Sequence, residues 1–112
     1  MKKIEAIIRP TKLDSVRLAL KEIGSPGLMV TEIEGHGKQK GITRQWRGKE
    51  YKVELLPKIK IEIIAHDKDV EKIMSTIAAV AGTGEIGDGK IFVYPVENAM
   101  RIRTGEKGDS AI

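Results

Sequence analysis

The sequence predicts an α+β domain in which four strands and two helices follow one another in the order βαββαβ. Short runs in which apolar and polar residues alternate are separated by two longer runs with the apolar spacing of amphipathic helices. The chain has 112 residues, of which 40% are hydrophobic and 32% charged. This length and balance are typical of one globular domain with a single core.

The first strand and the first helix are predicted near the start of the chain. The strand covers residues 3–9, and Pro10 ends it. Thr11 and Asp14 form a capping-box pattern, which is typical of a helix start, and Gly24 fits the helix end. The apolar positions of these two elements are Ile4, Ala6, Ile8, Leu13, Val16, Leu20 and Ile23.

The other elements follow in the rest of the chain. Further strands are predicted at residues 28–34, 59–63 and 90–94, and Asp67 is positioned to cap the second helix. The apolar positions of that helix are Val70, Ile73, Met74, Ile77 and Ala81. The order is that of the ferredoxin-like fold, in which one antiparallel sheet carries both helices on one face. The helix-free face includes apolar residues, so we expect the chain to bury this face against other copies of itself.

Composition and charge exclude several classes of function. The chain has no cysteine, which excludes disulfides, thiolate metal sites and cysteine catalysis. It has no signal-peptide core and no membrane-length apolar run, so we expect a cytoplasmic protein. The net charge of +4 is too small to indicate nucleic-acid binding by itself. Basic residues cluster at residues 38–52 and near residues 90–103, which suits an anionic ligand or simply a solvated surface.

Residues 84–90 have the spacing G-x-x-x-x-G-K without forming a standard P-loop. A P-loop follows a strand, opens a helix and ends in Ser or Thr, whereas Ile91 stands at that position here. The glycines still allow backbone N–H groups to approach phosphates, and Lys90 adds a charge. An ordinary glycine-rich turn is the alternative.

A pair of arginines strengthens the case for an anion site. If residues 101–103 are extended, Arg101 and Arg103 lie on one side and can both donate to phosphate oxygens. A solvated basic tail is the alternative. Together with the glycine-rich segment, the pair favours a polyphosphate ligand.

The link between the second and third predicted strands, Gly35 to Pro57, is long for a compact domain. Loops longer than about 15 residues are usually functional or disordered. This link is basic and contains the only tryptophan, Trp46, whose position beside arginines is typical of an interface anchor. In the alternatives, Trp46 packs on its own loop and Tyr51 is an inward-facing strand residue.

Four stretches resemble the P-II family of nitrogen regulatory signal-transduction proteins. They are residues 1–10, Trp46–Tyr51 at the T-loop tip, Thr83–Val93 in the B-loop and Arg101–Glu106 in the C-loop. They occur in the family's order and spacing and together span essentially the whole chain. The resemblance implies a single regulatory domain over residues 1–112 that assembles as a homotrimer. It places the T-loop at about 36–56, the B-loop at about 82–90 and the C-loop at about 101–109.

The resemblance further implies a sensor of ATP, ADP and 2-oxoglutarate. The expected nucleotide-binding residues are Met29, Gly37, Lys38, Gln39, Glu62, Ile64, Gly87, Asp88, Gly89, Lys90, Arg101 and Arg103, the two arginines reaching in from a neighbouring subunit. Gln39 would ligate Mg²⁺, whose oxygen shell 2-oxoglutarate would complete. The expected 2-oxoglutarate-binding residues are Gln39, Lys40, Gly41, Lys58 and Gly87, and Lys58 would pair with the distal carboxylate.

Partners are expected to bind the T-loop through Trp46, Arg47 and Tyr51. For this family they include an ammonium transporter, which would recruit the protein to the membrane, and nitrogen-metabolism enzymes or regulators. Tyr51 matches the tyrosine that a uridylyltransferase modifies in some bacterial members. The chain departs from the family where Trp46 replaces the usual tyrosine and Met29 a frequent threonine. Lys49 replaces a serine that some members have phosphorylated, which excludes that modification.

Two other classes of function compete with this interpretation. A ferredoxin-like nucleic-acid-binding module shares the element order, but the third strand lacks aromatic residues for base stacking, which leaves Phe92 and Tyr94 on the last. For an enzyme, the only histidines are His36 and His66, and no catalytic grouping stands out. We therefore expect no nucleic-acid partner and no catalysis beyond slow hydrolysis of bound ATP.

Overall fold

The structure, a computed structural model, describes residues 1–36, 42–46, 49–53 and 55–112, with side chains for residues 1–36 and 55–112. The elements are β1 (Lys2–Ile8), α1 (Leu13–Glu22), β2 (Leu28–Gly35), β3 (Ile42–Trp46), β4 (Lys49–Val53), β5 (Leu56–Ala65), α2 (Val70–Ala81) and β6 (Gly89–Pro95). Short 3-10 helices lie at Pro10–Lys12, Asp67–Asp69 and Gly108–Ala111.

The main sheet has four antiparallel strands in the order β2-β5-β1-β6. Ile63 of β5 pairs with Ile4 of β1 on one side and with Leu28 of β2 on the other. Gly89, at the start of β6, pairs with Ile8 at the end of β1. The predicted α+β, ferredoxin-like βαββαβ architecture is confirmed.

One hydrophobic core joins this sheet to both helices. Its buried residues alternate along β1 and β5 and recur at helical spacing along α1 and α2. They are Ile4, Ala6, Ile8, Val16, Leu20, Ile59, Ile61, Ile63, Ala65, Ile73, Ile77 and Ala81. Burying one isoleucine or leucine side chain contributes about 1.5–3 kcal/mol, so this cluster fixes which sheet face the helices cover.

The helix ends agree only in part with the sequence prediction. Helix α1 ends as predicted, because Gly24 (φ 70°) closes a Schellman motif in which Ser25 N donates to Leu20 O at 3.0 Å. The predicted caps at Thr11 and Asp67 are wrong, since neither helix start has a side-chain cap. Both residues lie instead in 3-10 turns, whose backbone carbonyls bind the first helical N–H groups.

The long link contains structure that was not predicted. Strands β3 and β4 pair antiparallel, with Arg44 opposite Tyr51 and Trp46 opposite Lys49. β5 begins at Leu56, three residues before the predicted third strand. The link is rich in polar and charged residues: β3 has only Ile42 and Trp46 as apolar positions, and the alternation of Tyr51 and Val53 in β4 is short.

Candidate functional site

A cleft of about 530 Å³ lies where the end of β1 and the start of β5 meet the B-loop, residues 82–90. Antiparallel pairing creates this position, since it places the end of β1 beside the start of β6. The lining residues are Ile7, Gly35, His36, Leu56, Lys58, Glu85, Ile86, Gly87, Asp88, Gly89, Lys90 and Phe92. Five of the predicted site residues therefore meet in one cleft: Lys58, Gly87, Asp88, Gly89 and Lys90.

Asp88 ties the B-loop together from within. Its carboxylate accepts hydrogen bonds from Thr83 N at 2.7 Å, from Gly84 N at 2.9 Å, and from the Thr83 hydroxyl and Arg9 Nε. These bonds, led by that from the Thr83 hydroxyl, stabilise the charged form and hold the pKa of Asp88 well below its usual range. The carboxylate is thus engaged within the protein, which leaves the backbone N–H as the group that Asp88 offers to an anion.

Arg9 connects the B-loop to the end of β1, and sequence reasoning missed it. Its Nη2 donates to Ile86 O at 2.9 Å, while its Nε lies 3.2 Å from Asp88 Oδ1. One guanidinium therefore holds the loop on both sides of Gly87. The signal in the sequence is faint: a cation ends the first strand, next to the strand that the loop introduces.

Lys58 also reaches the B-loop, from β5. Its Nζ donates to Gly87 O at 2.7 Å, which joins two residues predicted for the same effector. Burial lowers the pKa of Lys58, the nearby Arg9 charge lowers it further, and Asp88 partly opposes both. The ammonium is therefore a partly desolvated donor at the wall of the cleft.

The backbone of the B-loop is suited to an anion. Gly87 and Gly89 have φ of 103° and 106°, which favour glycine. A Cβ on Gly89 would lie 1.7 Å from Ile7 O, so no other residue fits there. Within the described ranges, no acceptor is bonded to the N–H of Gly87 or Asp88. Free N–H groups on a glycine-rich turn, next to Lys90, form the kind of nest that binds phosphate oxygens.

Three of the residues predicted to bind the nucleotide, Met29, Glu62 and Ile64, lie on the helix-free face of the sheet. Met29 pairs directly with Glu62 across β2 and β5, and Ile64 follows on the same face. The Glu62 carboxylate lies 3.7 Å from Lys3 Nζ and 3.6 Å from Lys60 Nζ. These residues are close together but do not line the cleft of their own chain.

The C-terminal turn, residues 98–110, corrects the interpretation of the two arginines. Arg101 N donates to Glu106 O at 2.8 Å and Gly105 N to Arg101 O at 2.7 Å, so residues 102–104 form a turn. The extended conformation assumed for residues 101–103 is therefore wrong, because local backbone bonds close the chain on itself. Arg101 also binds Glu106 through its side chain. Neither Arg101 nor Arg103 lines the cleft of its own chain.

Some predictions fall on residues that the structure does not describe. They are the nucleotide, effector and metal predictions at Gly37, Lys38, Gln39, Lys40 and Gly41, and the partner prediction at Arg47. Trp46 and Tyr51 are described as strand backbone only, so their predicted partner contacts stay predictions. Among the described helices, none is long and apolar enough to cross a membrane.

Comparison with known proteins assigns the chain to a family. A family model described as nitrogen regulatory protein P-II matches residues 1–106. The chain is 59% identical to the nitrogen regulatory proteins P-II of Azospirillum brasilense and of Rhodospirillum rubrum. It is 57% identical to nitrogen regulatory protein P-II 1 of Escherichia coli. Each of these matches covers 100% of both chains.

Proposed function

The chain belongs to the P-II family of nitrogen regulatory proteins, and we propose that it senses ATP, ADP and 2-oxoglutarate and signals through its T-loop. Its relatives carry the names of regulatory proteins, which accords with a regulator and not an enzyme. The single observation that supports nucleotide sensing best is the cleft beside the B-loop.

The cleft has the chemistry of a phosphate site. The N–H groups of Gly87 and Asp88, together with the Lys90 ammonium, offer donors and positive charge along one short segment. Three nearby acceptors that would repel a phosphate are bound by Arg9 or Lys58: the carbonyls of Ile86 and Gly87 and the carboxylate of Asp88. We therefore assign the phosphates of ATP or ADP to the B-loop.

Three copies are needed to complete the site in this proposal. The helix-free sheet face carries half-exposed apolar residues, among them Met29, Phe92 and Tyr94. A homotrimer would bury that face and bring a neighbour's C-terminal turn to the cleft. Arg101 and Arg103 would then reach the phosphates from across the subunit boundary, since they do not reach the cleft of their own chain.

Effector binding would depend on the nucleotide. Lys58, whose Nζ lies 2.7 Å from Gly87 O, would pair with the distal carboxylate of 2-oxoglutarate. Gln39, to which the resemblance assigns Mg²⁺, lies outside the described residues, so the metal's place is a prediction from the resemblance alone. When ATP and effector together favour one T-loop conformation and ADP another, a partner that binds only one of them reports the metabolite state.

Calorimetry tests this order. 2-oxoglutarate should bind measurably in the presence of Mg²⁺ and ATP, and negligibly with ADP or without nucleotide. Glutarate, which has the same five-carbon dicarboxylate chain but no keto group, is the matched control ligand and should bind weakly in every case. Tight binding of 2-oxoglutarate to the nucleotide-free protein would contradict the proposal.

The partner would be captured by the T-loop. Candidates are an ammonium transporter, which would draw this cytoplasmic protein to the membrane, a nitrogen-metabolism enzyme or regulator, and a uridylyltransferase acting at Tyr51. Replacing residues 42–52 by a short glycine linker should leave ATP affinity unchanged and abolish capture in a pull-down with ATP and 2-oxoglutarate. Retention of the partner by the shortened protein would place recognition elsewhere.

A further inference from the structure

Arg101 is held by bonds within its own turn. Its Nη1 lies 2.7 Å from Glu106 Oε1, and its Nη2 donates to Ser110 O at 3.4 Å. The backbones of Arg101 and Glu106 are also bonded, at 2.8 Å. Both ends of this arginine are therefore fixed relative to Glu106.

We propose that Glu106 is a positioning residue, which holds the Arg101 guanidinium ready to donate to phosphates bound at the neighbouring subunit's B-loop. This inference rests on the proposed nucleotide site and adds to it a residue that touches neither nucleotide nor effector. A guanidinium has five N–H donors. Glu106 and Ser110 engage two of them, so three remain for phosphate oxygens.

The benefit of the ion pair is preorganisation. A free arginine side chain loses rotamer freedom when a ligand orders it, and that loss opposes binding. In this chain Glu106 and Ser110 restrict Arg101 beforehand, so the nucleotide does not have to. Arg103 forms no hydrogen bond or ion pair with the described residues, so in this proposal the nucleotide itself would have to order its side chain.

Glu106 also has an opposing effect, because its negative charge reduces the attraction between Arg101 and a phosphate. The side chains of Arg101 and Glu106 are 37% and 43% exposed, so water screens this effect. The hydrogen bonds to Glu106 and Ser110 keep Arg101 in place even so, and we therefore expect the removal of Glu106 to weaken ATP binding. The two effects differ in sign, which makes the proposal testable by affinity alone.

The experiment is an ATP titration by calorimetry on the full-length chain carrying Glu106→Ala or Glu106→Gln. Glu106→Ala should weaken ATP about three- to tenfold, the loss expected when the ligand itself must order one long side chain. Glu106→Gln keeps an acceptor oxygen without the charge, so its affinity should fall between those of wild type and Glu106→Ala. Tighter binding by either variant would show that Glu106 competes with the nucleotide and would overturn the proposal.

A double-mutant cycle separates positioning from general support of the turn. If Glu106 acts through Arg101, adding Glu106→Ala to Arg101→Ala should cause no further loss of ATP affinity. An equal loss in both backgrounds would mean that Glu106 supports the whole turn, and the proposal would fall. Melting temperature and light scattering on each variant verify that the fold and the assembly persist.

Asp109→Asn is the matched control. It removes the same charge three residues away, from a side chain that forms no ion pair in the described part of the chain, and should leave ATP affinity unchanged. If Arg101→Ala weakens ATP and Glu106→Ala does not, only the positioning role is wrong. If Arg101→Ala itself has no effect, the proposed arginine contact with the nucleotide fails as well.

Discussion

The B-loop and the C-terminal turn are both glycine-containing segments assigned to one nucleotide site, yet different parts of the chain hold them. The B-loop is fixed by Arg9 and Lys58, which lie 79 and 29 residues from the groups they bind. The C-terminal turn is fixed by bonds within itself: Arg101 binds Glu106 five residues away, and Gly108 N donates to Asn98 Oδ1 ten residues away.

This difference shows how one site can be divided between copies of a chain. The geometry of the B-loop depends on the sheet, because its anchors are Arg9, which directly follows β1, and Lys58 in β5. The C-terminal turn carries its own supports, so it can be presented to a neighbour without depending on the sheet for its shape. Substitutions in the two segments should therefore affect different properties.

The largest effect is expected for Gly89→Ala in the B-loop. The new Cβ would lie 1.7 Å from Ile7 O at a φ of 106°, so the pairing of β6 with β1 must break locally. We expect a loss of at least about 3 kcal/mol in the free energy of unfolding, the range of severe backbone strain. Urea denaturation measures this loss. If Gly89→Ala destabilised the protein no more than the replacement of an unobstructed turn glycine does, the close approach of Gly89 to Ile7 O would be contradicted.

The next effect concerns ATP affinity and not stability. Lys90→Ala and Arg103→Ala each remove one charged phosphate contact and should each cost about 1.5–3 kcal/mol of binding free energy. Melting temperatures should change little, since both side chains are exposed. If both variants bound ATP in calorimetry as tightly as the wild type does, the proposed site would be refuted.

Mixing these two variants sharpens the comparison. If Arg103 acts at a neighbour's cleft, a mixed trimer contains sites that combine Lys90 from one subunit with Arg103 from the next. Subunits exchanged under mild denaturant should then recover part of the ATP binding that each pure variant has lost. No recovery in verified mixed trimers would place both residues at a site within one chain.

Asp88→Asn should have a smaller effect that depends on pH. The bonds from Thr83, Gly84 and Arg9 lower the pKa of Asp88 in the folded protein. Above its ordinary value of 3.8 the carboxylate is charged in both states and contributes its full stability. That contribution is lost as the pH falls from there toward the lower folded pKa. The stability gap between wild type and Asp88→Asn, measured by urea denaturation, should therefore shrink with acidification. A gap that stays constant into the acid range would contradict the lowered pKa.

The smallest effect is expected for Gly105→Ala in the C-terminal turn. Gly105 has a φ of 76°, but a Cβ there would meet nothing within 4 Å. The left-handed backbone alone should cost about 1 kcal/mol, which thermal melting can resolve. Comparing Gly105→Ala with Gly89→Ala separates the destabilisation caused by a left-handed backbone alone from that caused by a steric clash with Ile7 O.

The fold could be predicted because its signals are local. Apolar alternation identified β1 and β5, and helical spacing identified α1 and α2. The helix caps were predicted wrongly, since the same residues also suit the 3-10 turns that precede both helices. β3 and β4 were missed because each has only two apolar residues among charged and polar ones, too few for a strand pattern to be recognised in a long basic link.

Without the family resemblance, which supplied Lys58, the site could be predicted only where its residues are contiguous in sequence. Gly87, Gly89 and Lys90 stand together, so their potential for phosphate was visible. Arg9 was invisible because its role depends on a pairing 79 residues away. The predicted extended conformation of Arg101 and Arg103 was wrong because backbone hydrogen bonds from Gly105 and to Glu106 close a turn there. Such bonds leave no periodic pattern in the sequence from which the turn could be predicted.

The position of β1 in the sheet has a consequence for folding. Both strands that flank β1, namely β5 and β6, come much later in the chain. Ile8 of β1, for example, pairs with Ile59 on one side and with Gly89 on the other. During synthesis β1 therefore has neither neighbour until more than half of the chain has emerged, and its second edge waits for β6. Such distant pairings raise contact order and slow folding. Gly89 can pack against β1 only after β6 has emerged, so the B-loop takes its shape when this second edge of β1 is paired.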